Sequence, residues 1–175
     1  MTSGHLQGKF LEMISKMITP ENILEIGTFT GYSAICLAKG LKPDGKLITI
    51  EINDEITAFA HSYFCKAGLK EKITQLTGNA LEIIPGLDVM FDLVFLDGDK
   101  REYIEYYKLI IDKVKPGGFI LADNVLWGEK VLEKETTDPQ TRGIIDFNEM
   151  IMKEKNIENV IIPVRDGVML IQKKN

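Results

Sequence analysis

The sequence predicts a doubly wound α/β domain with a mostly parallel sheet and an antiparallel C-terminal strand. Three observations point there. Strand-like and helix-like hydrophobic periods alternate from end to end in five successive units. Two stretches, Phe91–Leu96 (Asp92 apart) and Phe119–Ala122, are continuously apolar, as strands covered by helices on both faces must be. The chain then closes with two strand-like runs separated by Arg165-Asp166-Gly167, which reads as an antiparallel hairpin turning on Gly167.

The elements follow in order. Leu6, Phe10, Leu11, Ile14, Met17 and Ile18 fall on one face of a first helix that Pro20 closes. Asn22–Ile26 reads as a strand, Gly31 to Lys39 as a helix, and Lys46–Glu51 as a second strand. Asn53 and Asp54 can then cap the helix that carries Phe59, Ala60, Tyr63 and Phe64. A third strand is expected over Lys72–Thr77, with a short helix from Ala80 to Ile84 before Pro85-Gly86. Tyr103–Val114 reads as a helix in which Tyr103, Tyr106 and Tyr107 pack against the sheet or a second copy. Pro116-Gly117-Gly118 is expected to turn into the fifth strand. After the irregular stretch Asn124–Pro139, Ile144, Ile145, Phe147, Met150 and Ile151 mark a last helix, and Val160–Val164 and Val168–Ile171 form the hairpin.

At 175 residues and 45% hydrophobic content, the chain is one domain long and can bury one ordinary core. A net charge of −5, with its basic residues dispersed, lacks the footprint of a nucleic-acid binder and favours small-molecule chemistry. Only Cys36 and Cys65 are present, both in apolar helical patterns, so both are expected to be buried thiols in a reducing cytoplasm. No apolar run approaches the roughly 20 residues of a membrane span. His5 and His61 have no partner pattern and read as partly exposed helix residues.

In doubly wound sheets, ligands collect outside the carboxyl ends of the strands, near the point where strand order reverses. That rule sets aside Asp92, at the start of its strand, and favours Asp97 and Asp123, each at the end of one. Between the first strand and its helix lies Glu25-Ile26-Gly27-Thr28-Phe29-Thr30-Gly31-Tyr32-Ser33, where two glycines permit a sharp turn and close backbone approach. Glu51 ends the second strand about 24 residues after Gly27, near the spacing at which a carboxylate reaches ribose hydroxyls. The three-glycine dinucleotide fingerprint is missing, which disfavours a pyrophosphate cradle and a nicotinamide-dependent reductase. An adenosine carrying an amino-acid tail fits better, with Glu51 on the ribose, Ser33 near the tail carboxylate, and the backbone of Gly27 and Thr28 against the middle.

Asp97-Gly98-Asp99-Lys100 and Asp123-Asn124 follow the fourth and fifth strands, so oxygen donors converge from adjacent loops. Carboxylate and amide oxygens suit a hard cation such as Mg²⁺ or Ca²⁺. Two adjacent hydroxyls of an acceptor could chelate that ion, and Lys100 could take up the proton or stabilise the alkoxide.

Together these segments resemble the cation-dependent O-methyltransferase family that includes the caffeoyl-CoA and catechol enzymes. The resemblance runs over nearly the whole chain. It rests chiefly on residues 24–33, on Phe95-Leu96-Asp97-Gly98-Asp99-Lys100, and on Leu121-Ala122-Asp123-Asn124-Val125-Leu126-Trp127-Gly128. It implies a Rossmann-like methyltransferase fold and transfer of a methyl group from S-adenosylmethionine to a small acceptor with vicinal hydroxyls, catechol or caffeoyl-like. By the same resemblance Asp97, Asp123 and Asn124 hold a divalent cation, Mg²⁺ first, with Mn²⁺ or Ca²⁺ as alternatives. Asp97 also lies near the substrate, and Lys100 matches the base of the catechol-type members. Glu25, Gly27, Thr28, Ser33, Glu51 and Ala80 fall to the S-adenosylmethionine site. Trp127 reads as a substrate wall or as packing. A homodimer is implied as well. Relatives usually carry further N-terminal helical sequence before the part matching Gly4–Leu11, which this chain is expected to lack. Asp99 stands where catechol-type members place an aromatic residue near the cofactor.

Overall fold

In the computed structural model, which describes residues 4–133 and 135–175, the chain alternates helices and strands as the sequence predicts. The helices are α1 (His5–Ile18), α2 (Tyr32–Ala38), α3 (Thr57–Lys66), α4 (Ala80–Ile83), α5 (Tyr103–Ile110) and α6 (Pro139–Lys153). The strands are β1 (Asn22–Ile26), β2 (Lys46–Glu51), β3 (Ile73–Thr77), β4 (Phe91–Leu96), β5 (Val114–Asp123), β6 (Ile157–Ile162) and β7 (Val168–Lys173). They form one sheet in the order β3-β2-β1-β4-β5-β7-β6. Only β7 runs against its neighbours, pairing antiparallel with β5 and with β6. Chain order therefore reverses between β1 and β4, the place where such sheets open a crevice.

Both faces of the sheet are covered, which is why its central strands carry no polar alternation. Leu24, Ile26, Val94, Leu96, Ile120 and Ala122 point toward Tyr103, Tyr107 and Ile110 of α5 and Ile144, Phe147 and Ile151 of α6. Their sequence neighbours Ile23, Leu93, Phe95 and Leu121 face Leu11 of α1, Ala34 and Leu37 of α2, and Ala60 and Phe64 of α3. Tyr103, Tyr106 and Tyr107 are all buried, and the Tyr103 ring meets Phe147 edge-on at 5.3 Å, so these tyrosines belong to the sheet packing. Asp92 serves the far end of the sheet, accepting hydrogen bonds from the Glu21 and Asn22 amides and from Lys115.

Several local expectations are corrected. On α1, Phe10, Leu11, Ile14 and Ile18 pack against the core as expected, but Leu6 and Met17 are exposed, and the buried residues are Gln7, Gly8, Leu11, Glu12 and Ser15. Helix-on-helix packing explains this: small Gly8 and Ser15 let α1 press close to Tyr32 and Gly40. Glu12 tolerates its seat because Lys9, Lys16 and Lys39 surround it; hydrogen bonds from Lys16, Lys39 and Lys9 hold its carboxyl down to about 2. The fifth helix stops at Ile110, and β5 starts at Val114, with residues 115–118 bulging out of register before Phe119 meets Leu93. β6 begins at Ile157 and stops before Pro163, which has no N–H to donate, and the expected tight turn on Gly167 is present within the connection, the Gly167 amide donating to the Val164 carbonyl at 3.0 Å. Cys36 is buried but Cys65 is exposed on α3. His5 and His61 are exposed on their helices. Among the described residues no helix is long and apolar enough to cross a membrane.

Gly143 brings the last helix onto the turn that carries Lys100: a Cβ there would collide with the Lys100 carbonyl oxygen. Alanine favours a helix interior over glycine by about 1 kcal/mol, whereas overpacking costs about 1–3 kcal/mol, more when the neighbour is backbone. Gly143→Ala is therefore expected to lower Tm by roughly 3–8 °C, measured by thermal unfolding. An unchanged or raised Tm would show that the helix can move aside freely.

Candidate active site

Strand register builds the site. Ile50, Ile26, Leu96 and Ala122 lie side by side across β2, β1, β4 and β5. The residues one step further on, Glu51, Gly27, Asp97 and Asp123, therefore form a row along the carboxyl edge, with neighbouring strands about 4.8 Å apart. A cavity of about 690 Å³ opens over Glu51, Gly27 and Asp97 of this row and over Asn124, while Asp123 stays off its lining. That volume lies within the range of cofactor and ligand sites.

On the β1–β2 side, Gly27 takes φ +100°, and a Cβ there would strike the Asp97 carbonyl oxygen. Only glycine fits both the conformation and the space. The Gly27 and Thr28 amides are spent on the Ile50 carbonyl at 2.9 and 3.3 Å, so these two N–H groups are not offered to a ligand. Gly27 itself lines the cavity, as do Glu51 and Ala80. Glu51 accepts from the Phe29 amide at 2.7 Å through one oxygen and from the Asn53 amide at 2.9 Å through the other. The second lone pair on each oxygen remains for ribose hydroxyls. Glu25, Thr28 and Ser33 stand behind this surface, all buried and off the cavity lining. Thr49 donates to Glu25 at 2.5 Å and its hydroxyl meets that of Thr28 at 2.6 Å, so the three brace the loop from beneath. The other Glu25 oxygen has no partner. Burial pushes the Glu25 carboxyl up to about 8, the Ser33 and Thr49 hydroxyls offsetting part of the rise.

On the β4–β5 side the structure brings Asp97, Lys100, Asp123 and Asn124 together. Lys100 is buried and donates to Asp97 Oδ1 at 2.8 Å, to the Tyr103 hydroxyl at 2.8 Å and to the Gly98 carbonyl at 3.2 Å. All three of its N–H groups are engaged. The Tyr103 hydroxyl lies 3.0 Å from the Leu96 carbonyl and 3.1 Å from that of Asp123, tying the ends of both strands to the lysine. Asp123 accepts from its neighbour's amide through Oδ1 at 2.9 Å and from Gln7 Nε2 through Oδ2 at 2.6 Å. Burial raises the carboxyl groups of Asp97 and Asp123 above the usual range; the Lys100 ammonium, in contact with Asp97, offsets part of the rise at both, and the Gln7 hydrogen bond and the Arg165 guanidinium offset part of it at Asp123. Asn124 sits in the left-handed region at φ 59°, which asparagine tolerates, with its Nδ2 3.5 Å from Asp166. Among the described residues no three His, Cys, Asp or Glu side chains are grouped to hold a metal. The candidate set is two carboxylates and one amide, an all-oxygen donor group, and it fits a hard cation that completes its shell with water or substrate.

The cavity also uses residues that carried no signal in the sequence. Phe29 and Ile52 are exposed apolar side chains at its mouth, and Tyr106 and Gln140 line it from α5 and α6. Asp99 lines it too, clamped to the Arg101 guanidinium, so its charge is already matched. Trp127 borders this cavity and a second one of about 470 Å³ shared with Lys130 and Arg165, which places it as a wall between two spaces.

A family model described as O-methyltransferase matches residues 1–174. The chain is 37% identical over 160 residues to a catechol O-methyltransferase of Niastella koreensis, covering 89% of this chain and 72% of the relative. It is 35% identical over 186 residues to caffeoyl-CoA O-methyltransferase 1 of Eucalyptus globulus, covering 99% and 75%. The structure superposes with a TM-score of 0.94 on the O-methyltransferase TomG of Streptomyces achromogenes, involved in tomaymycin synthesis and solved in complex with SAM. That match is 33% identical and covers 99% of this chain and 82% of the other.

The raised Glu25 carboxyl has a signed consequence. The folded protein holds this proton up to about pH 8, whereas the unfolded chain releases it near 4.5. Between those values the folded state binds more protons, so stability falls as pH rises. Glu25→Gln should flatten that decline, so that its Tm between about pH 5 and 8 drops by several degrees less than that of the wild type. Parallel curves would show that Glu25 carries no such linkage.

Proposed function

Since the chain belongs to the O-methyltransferase family, we propose that it moves the methyl group of S-adenosylmethionine to one hydroxyl of a small acceptor with two adjacent hydroxyls, catechol or caffeoyl-like, with a divalent cation. One observation carries this reading. Asp97 and Asn124 line the cavity that also holds Gly27 and Glu51, the buried Asp123 carboxylate stands beside them at the end of β5, and among the described residues one ammonium, that of Lys100, contacts Asp97. Asp97, Asp123 and Asn124 would hold the cation, Mg²⁺ first. Bound there, a divalent ion supplies Lewis acidity that lowers the pKa of a coordinated hydroxyl.

The chain's own residues do the rest. Glu51 orients the ribose, Gly27 and Ala80 let the cofactor lie close to the strand ends, and Glu25, Thr28 and Ser33 hold the loop in shape. Asp97 stands between the two halves of the cavity and faces the acceptor. Lys100, its three N–H groups engaged, acts as a fixed positive charge beside the acceptor oxygen rather than as a proton acceptor. The reaction makes an oxygen–carbon bond as the sulfur–carbon bond breaks, leaving S-adenosylhomocysteine and releasing the hydroxyl proton to solvent. Phe29 and Trp127 supply apolar surface for a ring. In the same reading the protein works in the cytoplasm as a homodimer; exposed Val160 and Ile161 on edge strand β6 are apolar surface a second copy would cover.

Asp123→Ala is expected to cut cation-stimulated methyl transfer to a catechol at least about 100-fold, since a Lewis acid contributes several kcal/mol. S-adenosylmethionine affinity, read by calorimetry, should stay within about threefold, because Asp123 lies outside the β1–β2 half. Undiminished transfer by this variant would overturn the assignment.

A further inference from the structure

Gln7 is a buried polar residue, 2% exposed, on the first turn of a helix that otherwise serves packing. Its side chain leaves the helix for the end of β5, where Nε2 donates to Asp123 Oδ2 at 2.6 Å. Its Oε1 accepts from Arg165 Nη1 at 3.2 Å, in the loop between β6 and β7. A guanidinium can only donate and a carboxylate only accepts, so the amide has one consistent orientation. The opposite oxygen of Asp123 takes the Asn124 amide. Among the described residues each carboxylate oxygen thus has one protein donor, which sets the plane of the group and leaves a lone pair per oxygen for another ligand.

The seat of Gln7 is itself specified. Gly8 has no Cβ to hold α1 off the Tyr32 ring, and Leu11, wholly buried, anchors the next turn. Close packing of α1 on α2 is what brings residue 7 within reach of a strand end 116 positions away. Groups that hydrogen-bond a metal-ligating side chain fix its orientation, and losing them typically weakens metal affinity about 10–100-fold.

We propose that Gln7 is a positioning residue for the cation: it holds the Asp123 carboxylate in its ligating orientation and couples it to Arg165. This rests on the reading of Asp97, Asp123 and Asn124 as the cation site. The test uses Mn²⁺ as probe and electron paramagnetic resonance of the free ion as readout, on the wild type, on Gln7→Met and on Gln7→Asn. Methionine keeps the length without polar groups. Asparagine keeps an amide but withdraws it by one carbon, and decides the matter if the methionine variant does not fold. Mn²⁺ binding should weaken about 10–100-fold in the folded variants, while S-adenosylmethionine binding by calorimetry stays within about twofold of the wild type. Unchanged Mn²⁺ affinity overturns the inference and leaves the cation site standing. An equal loss of Mn²⁺ and S-adenosylmethionine binding also overturns it, since it marks a general loosening of α1. A wild type that binds no Mn²⁺ overturns the cation reading and the inference with it.

Discussion

Parallel pairing in register, with four strands stopping at the same level, is the constraint on which the rest of the site depends. Ile50, Ile26, Leu96 and Ala122 are paired across the sheet, so whatever follows them is forced into one row. The chain places Glu51, Gly27, Asp97 and Asp123 there. The reversal of strand order between β1 and β4 keeps helices from closing over the middle of the row. A one-residue slip of β4 would turn Asp97 to another face and point Leu96 into the cavity. The continuous apolar runs and the two helix layers make such a slip costly, because Phe91, Leu93, Val94, Phe95 and Leu96 of β4 each already have a place in one of two cores.

Around that row the sequence accumulates buried charge, which a protein interior tolerates only with partners. Lys100 answers Asp97, Tyr103 steadies Lys100 and both strand ends, and Gln7 and the Asn124 amide answer Asp123. Lys100 and Arg165 act on the pair from nearby, yet burial keeps both carboxyls above their ordinary range. Asp97 and Asn124 face an open cavity, a setting in which a cation and an acceptor hydroxyl could bind together. Glu25 meets burial differently. It stands beneath the loop with one oxygen unpaired and keeps its proton, so it shapes the cofactor half of the site as a neutral group.

The fold was legible because its information is periodic. Apolar runs, glycine turns and the closing hairpin name the strands and the sense of the last one, and strand-end position separated Asp97 and Asp123 from Asp92. Less legible was anything set by contact between distant segments. Apolar spacing placed Phe10, Leu11, Ile14 and Ile18 of α1 on the core, but it did not show that Gly8 and Ser15 are buried for their smallness or that Leu6 and Met17 are left out. Gln7 carries no local pattern at all; its meaning comes from Asp123, across the whole chain. The start of β5 was missed because glycine and proline at 116–118 read as a turn, while the structure keeps Val114 paired to Phe91 and lets the intervening residues bulge. Thr28 sits in the β1–α2 loop and Ser33 in the first turn of α2, both off the cavity lining, a distinction the sequence does not carry.

The most direct measurement is methyl transfer from labelled S-adenosylmethionine by the chelator-stripped protein, offered a catechol or the matching monophenol, with and without Mg²⁺. The account predicts transfer to the catechol alone, and only when the cation is returned. Equal transfer to the monophenol, or transfer that persists in chelator, would contradict it.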